Sequence, residues 1–196
     1  MADEEKKKLN FYQLYGQVDS LCKSIEDEND YVKSYRFLDM ISNIFIPEEY
    51  LELGLEGIED LVADISNRKT ILSKLYRASI RKISSKKIGF KSKKAELKIR
   101  TEDLMVNDPD VKEQKSSDKR QAAASDKLKN LQEEISSMES ESLESQAFFD
   151  CVSHTYNDLS DKKETVSRQF SIIQEEINLQ LLSAEDLVGK RRKIKK

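Results

Sequence analysis

LKNLQEEISSMESESLESQAFFDCVSHTYNDLSDKKETVSRQFSIIQEEI, residues 128–177, is the stretch whose spacing decides the fold. Through it run Leu128, Leu131, Ile135, Met138, Ser142, Ser145, Phe149, Val152, Tyr156, Leu159, Lys163, Val166, Phe170, Ile173 and Ile177, at alternating steps of three and four. This is the seven-residue repeat of a coiled-coil seam, because 3.5 residues per turn keeps one stripe facing a partner helix. Ser142, Ser145 and Lys163 interrupt the apolar character, and Ser117, Gln121 and Ala124 extend the seam only weakly. An impure seam of this kind packs inside a hairpin or bundle rather than as a free two-stranded rod. No Pro or Gly lies between Pro109 and Leu182, so the spacing predicts one helix of ~74 residues, about 110 Å if straight.

Upstream of it, Asn107-Asp108-Pro109 is a reset: Asp108 suits an N-cap, and Pro109 suits the first helical position, where its missing N–H costs nothing. Thr101-Glu-Asp-Leu104 reads as another N-cap, opening a short helix through Val106. Before that, a helix is expected from about Ile58 to Arg100. Its apolar positions are Ile58, Leu61, Val62, Ile65, Ile71, Leu72, Leu75, Tyr76, Ile80, Ile83, Ile88, Phe90 and Leu97, with a kink or loop near Ser84, Ser85 and Gly89. Residues 48–57 read as a turn or short helix ending at Gly54 or Gly57. Two amphipathic helices precede it. One runs from Leu9 to about Glu28 on Tyr12, Leu14, Tyr15, Val18, Leu21, Cys22 and Ile25. The other runs from Tyr31 to Phe45 on Val32, Tyr35, Leu38, Met40, Ile41, Ile44 and Phe45, stopped by Pro47.

The expected fold is therefore all-α: a long antiparallel helical hairpin, coiled-coil-like, with a small N-terminal helical region. The boundaries are 1–57 for that region, 58–182 for the hairpin with its bend near 100–109, and 183–196 for a basic, disordered tail. Pairing outward from the bend sets Ile58 opposite about residue 155. The first arm is then roughly 30 residues too short, and the apolar end Tyr156–Leu182 must be covered by the N-terminal helices, by a second subunit, or by both. A homo-oligomer is the expectation.

Composition supports helices over sheets. Of 196 residues 36% are charged, Trp is absent, and only 5 Gly and 2 Pro punctuate the chain. No apolar run reaches the roughly 18 residues of a membrane span, and residues 1–8 are charged rather than leader-like, so a soluble, intracellular protein is expected. Its place is cytoplasmic (the host cytoplasm if viral), or nuclear if the source is eukaryotic, since Gly189-Lys-Arg-Arg-Lys-Ile-Lys-Lys196 resembles an import signal. Cys22 and Cys151 read as reduced, small apolar residues.

Catalytic chemistry finds no foothold in the sequence. His154 has Asp150 and Asp158 four residues to either side, which places a solvated histidine between acids on one helix face. With His154, Cys22 and Cys151 alone, a four-ligand zinc site is not expected, and Gly54-Leu-Glu-Gly57 lacks the Lys and Ser/Thr of a phosphate loop. The expectation is a non-enzyme without cofactor or metal.

Charge carries the functional signal. Residues 68–100 hold 13 basic side chains and one acid, Glu96; residues 1–67 hold 6 and 16, and residues 101–189 hold 9 and 20. A near-neutral whole thus hides a basic arm. Arg77, Arg81, Lys82, Lys86, Lys87, Lys91, Lys93, Lys94, Lys98 and Arg100 are the candidate nucleic-acid contacts, with Tyr76 and Phe90 as candidates to stack a base. The opposing reading is that these cations face acids of the returning helix, among them Glu133, Glu134, Glu139, Glu141 and Glu144. Near the bend that helix also carries Lys112, Lys115, Lys119, Arg120, Lys127 and Lys129, which leaves the basic arm short of local partners and favours an external polyanion.

From about Ile65 to Asn178, under two thirds of the chain, the layout resembles the phage recombination mediators typified by UvsY. The basic element is Ser84-Ser-Lys-Lys-Ile-Gly-Phe-Lys-Ser-Lys-Lys-Ala-Glu-Leu97, the connector Thr101-Glu-Asp-Leu-Met-Val-Asn-Asp-Pro109. The returning helix ends from Phe149-Asp-Cys151 through Arg168-Gln-Phe-Ser-Ile-Ile173. Glu96 stands where the family's Lys-Ala-Arg-Leu-like motif has a second cation, and residues 1–60 have no clear counterpart. The resemblance implies a small oligomer active in DNA recombination and repair, which binds single-stranded DNA and helps a recombinase displace a single-strand-binding protein. It also implies that Lys94 is the leading contact, with Lys93, Lys91, Lys86 and Lys87 beside it. The other class of function open to such a chain is a structural or assembly coiled coil whose basic arm pairs with acidic segments of neighbouring subunits.

Overall fold

A computed structural model describes residues 11–28, 31–47, 50 and 53–179. Among them all regular structure is helical: α1 Phe11–Lys23, continued by a π-helical turn Ser24–Glu28; α2 Val32–Ser42; α3 Gly54–Asn107; α4 Pro109–Lys112; α5 Ser117–Lys127; and α6 Lys129–Asn178. The expected charged start at residues 1–10 and the basic tail 183–196 lie outside the described residues. Helices α3 and α6 form the antiparallel hairpin that the seam requires. The chain divides into two compact units, Met1–Ala78 with Asp150–Lys196, and Ser79–Phe149.

In the first unit, Leu14, Val18, Leu21 and Ile25 form one buried line at steps of four and three, and Phe37, Leu38 and Ile41 a second. In the same unit Ile58, Ile65, Ile71, Leu72 and Leu75 of α3 and Val152, Leu159, Val166 and Ile173 of α6 are buried too, these nine at most 5% exposed. The end of α2 is held by a charge. Arg68 is 7% exposed; its Nη1 donates to the carbonyls of Ile41 (3.1 Å) and Asn43 (3.0 Å), and its Nε to Asp64 Oδ2 (2.9 Å). Orphan carbonyls at a helix C-terminus need such donors once buried. Tyr76 stacks on Tyr156, with ring centroids 5.2 Å apart.

In the second unit, Ile83, Val111, Ala124, Leu131, Ile135 and Phe148 form the buried core. Ser145 shows how a polar residue sits in the seam at little cost. It is 2% exposed, and its hydroxyl donates to its own helix at Glu141 O, 2.8 Å away. A buried polar group that is hydrogen-bonded avoids the desolvation penalty.

Four expectations are corrected. Thr101 does not open a helix: α3 runs on to Asn107, and the Thr101 hydroxyl donates to Leu97 O at 2.7 Å within it. The expected kink at 84–90 is absent, since α3 is continuous there and Gly89 takes the Met138 methyl, which would lie 3.1 Å from an added Cβ. Gly54 starts α3 instead of ending a turn, with a φ of 66° that glycine adopts without a Cβ clash. The long helix from Pro109 is interrupted. Asp108 caps α4, accepting from the N–H groups of Asp110 and Val111. Ser116 caps α5, accepting from Lys119 N at 3.3 Å, so the chain turns between Glu113 and Ser116 without Pro or Gly.

These changes shift the register. The turn now occupies 108–128 rather than 100–109, and Tyr76, not a residue near 58, stands beside Tyr156. With α3 at 54 residues and α6 at 50, the expected shortfall of the first arm disappears. The N-terminal helices do cover the hairpin in the first unit, as the Arg68 bonds to α2 and a Lys162 Nζ to Ser42 O contact of 3.4 Å record.

Candidate nucleic-acid interface

The basic arm is the part of α3 from Arg77 to Arg100, and helical geometry sorts its cations by angle. At about 100° per residue, Lys86 and Lys93 point toward the seam with α6, and they are paired. Lys86 bonds Glu141, and Lys93 lies 3.2 Å from Glu134 and 3.3 Å from Glu96. Hydrogen bonding to Glu134, then to Glu96, holds the Lys93 ammonium above its ordinary range. Arg100 closes on Glu96 at 2.6 Å. Lys82 is 9% exposed. For Lys86 and Lys93 the reading that cations face the returning helix holds.

Lys87, Lys91, Lys94 and Lys98 fall instead within a sector about 60° wide on the other side of α3. All four are exposed. Lys87 donates to the neutral amide of Gln146 at 2.8 Å. Lys98 lies 3.9 Å from Glu102, one turn along its own helix, with 79% of its side chain exposed; so open a pair contributes little. Lys94 sits 5.5 Å from the Phe90 ring centroid. Among the described residues Lys91 and Lys94 have no carboxylate partner, nor has Arg77. Arg81 is exposed as well.

Of the two aromatic candidates, Phe90 is half-buried at the edge of this row. Tyr76 has one ring face taken by Tyr156, over which Lys69 Nζ also sits, 4.9 Å from the centroid.

The bend next to this arm is pinned by a separate cluster. Lys127 Nζ lies 2.7 Å from Asp108 and 3.0 Å from Asp110. The hydrogen bond from Lys127, helped by the Val111 and Asp110 N–H groups, holds the Asp108 carboxyl below its ordinary range, and Lys127 is raised in turn. These are capping and closing contacts, so Lys127 is not a spare cation.

Sequence reasoning missed two things here. It did not separate the paired cations from the open ones, although a heptad count along α3 distinguishes Lys86 and Lys93 from Lys87 and Lys94. It also missed Gln146, the neutral residue that receives Lys87; Glu141 and Glu134 were among the acids expected to face the arm. A shallow groove of about 360 Å³ elsewhere, lined by Gln17, Ser20, Leu21, Lys33, Arg36, Phe37 and Met40, involves none of the candidate cations. Burial, with Asp39 nearby, pushes the Cys151 thiol up, which disfavours a reactive thiolate there. No protein-family model, no curated protein and no solved structure matches this chain.

Proposed function

We propose that the chain is a non-enzymatic protein that binds single-stranded DNA along the lysine row of α3. With the resemblance noted above, the role this suggests is a recombination mediator, helping a recombinase onto DNA held by a single-strand-binding protein. The single observation that carries the reading is the row itself: Lys87, Lys91, Lys94 and Lys98 share one exposed sector and receive no carboxylate from α6. Steps of four, three and four place successive ammonium groups about 5 Å apart along the axis. That pitch is commensurate with a phosphate strand, which advances about 3.4 Å per nucleotide when stacked and further when drawn out. Phe90 beside Lys94 offers an edge on which a base can rest, worth about 1–3 kcal/mol where such stacking forms.

The test is a fluorescence-anisotropy titration of a labelled oligonucleotide with the full chain at 50 and 200 mM salt. Binding that weakens steeply with salt supports the reading. A flat titration at 50 mM with folded protein refutes it.

A second reading, a structural or assembly coiled coil, is favoured by a different observation. Ile88, Ile99 and Val106 are 69%, 66% and 61% exposed and share one face of α3, and a contiguous apolar stripe marks an interaction surface.

A further inference from the structure

Within the second unit α3 carries two seams. Ile83 and the half-buried Phe90, Leu97 and Leu104 face inward. On the opposite side Ile88, Ala95, Ile99 and Val106 recur at seven, four and seven residues, all exposed, over about 27 Å of helix. The helix α6 has an outward line too: Ser136, Ser140, Leu143 and Ala147, at steps of four, three and four, all exposed, with Leu143 at 66%. One line is rich in Ile and the other in small residues, so large side chains of the first fit the gaps of the second.

Charge selects the same pairing. Residues 79–107 hold nine basic and three acidic side chains, whereas residues 129–149 hold one and five. Two α3 helices laid together would repel; α3 against α6 attracts. We propose that the outward seam of α3 is covered by the outward seam of α6 from a second copy of this chain, each copy giving and receiving one such contact. Because both seams face away from the hairpin's own interface, the pairing is head-to-tail, and each added copy covers one more Ile-rich line. A packed neighbour covers a stripe about 100° wide, and the lysine row lies 60° to 120° away from the centre of the α3 seam by the same roughly 100° step. Self-association and the proposed nucleic-acid row therefore use different faces.

Sedimentation velocity on the full chain at 1–50 µM tests this. The wild type is expected to sediment as a dimer or larger. Ile88→Ser with Ile99→Ser breaks the α3 seam, and Ser140→Lys with Ala147→Lys blocks that of α6 by bulk and by repulsion from basic α3; each double variant alone should weaken association at least tenfold. All four positions are exposed, and unchanged circular dichroism confirms the fold. Mixed together, the two variants restore one intact contact, so the mixture should associate more tightly than either alone. A monomeric wild type overturns the proposal, as does an α6 variant that associates normally or a mixture no tighter than its parts. Oligonucleotide binding by the Ile variant, measured alongside, reports on the lysine row separately.

Discussion

Two sets of lysines on one helix make opposite forecasts. Replacing Lys87, Lys91, Lys94 and Lys98 together by Ala removes the open row and touches one amide contact, one long intrahelical pair and the Lys94–Phe90 ring contact. Replacing Lys86 and Lys93 by Ala removes instead the cross-hairpin pairs to Glu141 and Glu134. If the row neutralises four phosphates of a single strand, it sets a salt slope of about −0.7 × 4, or roughly −3, in log affinity against log salt. Between 50 and 200 mM salt, a fourfold change, that slope is an affinity loss of about 50-fold.

The quadruple variant should lose this slope and the affinity that goes with it at low salt. The Lys86/Lys93 variant should keep the slope and show its effect as a lower thermal midpoint. The assay is the anisotropy titration at four salt concentrations, with melting followed by circular dichroism on the same samples. Equal losses of slope in both variants would refute the division of the cations by angle. A quadruple variant that binds as steeply as wild type would refute the row as the site.

Three further outcomes follow from the packing and the bend. Leu159 is fully buried whereas Leu143 is 66% exposed, so Leu159→Ala should cost about 2–5 kcal/mol in urea unfolding, and Leu143→Ala about 0.5 kcal/mol or less under monomeric conditions. Arg68→Ala leaves the carbonyls of Ile41 and Asn43 without their donor and Asp64 without its partner. A loss of about 2–3 kcal/mol is expected, with faster amide exchange at the end of α2. Because the folded Asp108 carboxyl is depressed by Lys127, its contribution is present above the unfolded carboxylate value and disappears as pH falls through the folded one. Asp108→Asn should abolish that acid-side loss, and a carboxyl chemical shift of Asp108 titrating at or above pH 3.8 would contradict the assignment.

The seam of α6 was legible because its period is a geometric constraint imposed by the partner helix. Each of its positions from Leu128 to Ile177 is buried or half-buried, Ser142, Ser145 and Lys163 included. The bend was harder to read. Thr101 and Ser116 carry the same capping chemistry, but only Ser116 caps, because a hydroxyl can equally bond back to the carbonyl four residues earlier when the helix continues. Aromatic residues misled in another way. Tyr12 is 91% exposed and Phe45 70%, while Phe37, off the expected face of α2, is 4% exposed and Phe148 rather than Phe149 is fully buried. On a helix with apolar residues on several faces, packing against α3 and α6 chooses the face, and that choice is not local. The candidate cations were found by composition, but their division into paired and open sets needed the register, which the misplaced bend had shifted.

That division gives Glu96 a part. As the single acid between Arg68 and Arg100 it stands in the middle of the basic arm, where a linear reading makes it a defect in a cation run. On the helix it lies on the flank away from the lysine row, and it binds Lys93 and Arg100. Its charge is thus used on Lys93, which also reaches Glu134 of α6, and on Arg100, and it subtracts little from Lys87, Lys91, Lys94 and Lys98. Counted along the sequence the arm has an excess of twelve positive charges. Counted by angle, the part open to an external polyanion is the four-lysine row of the second unit. Under the proposed function, a strip so narrow suits a single phosphate strand followed lengthwise better than a duplex, which presents two strands across a groove far wider than one helix sector.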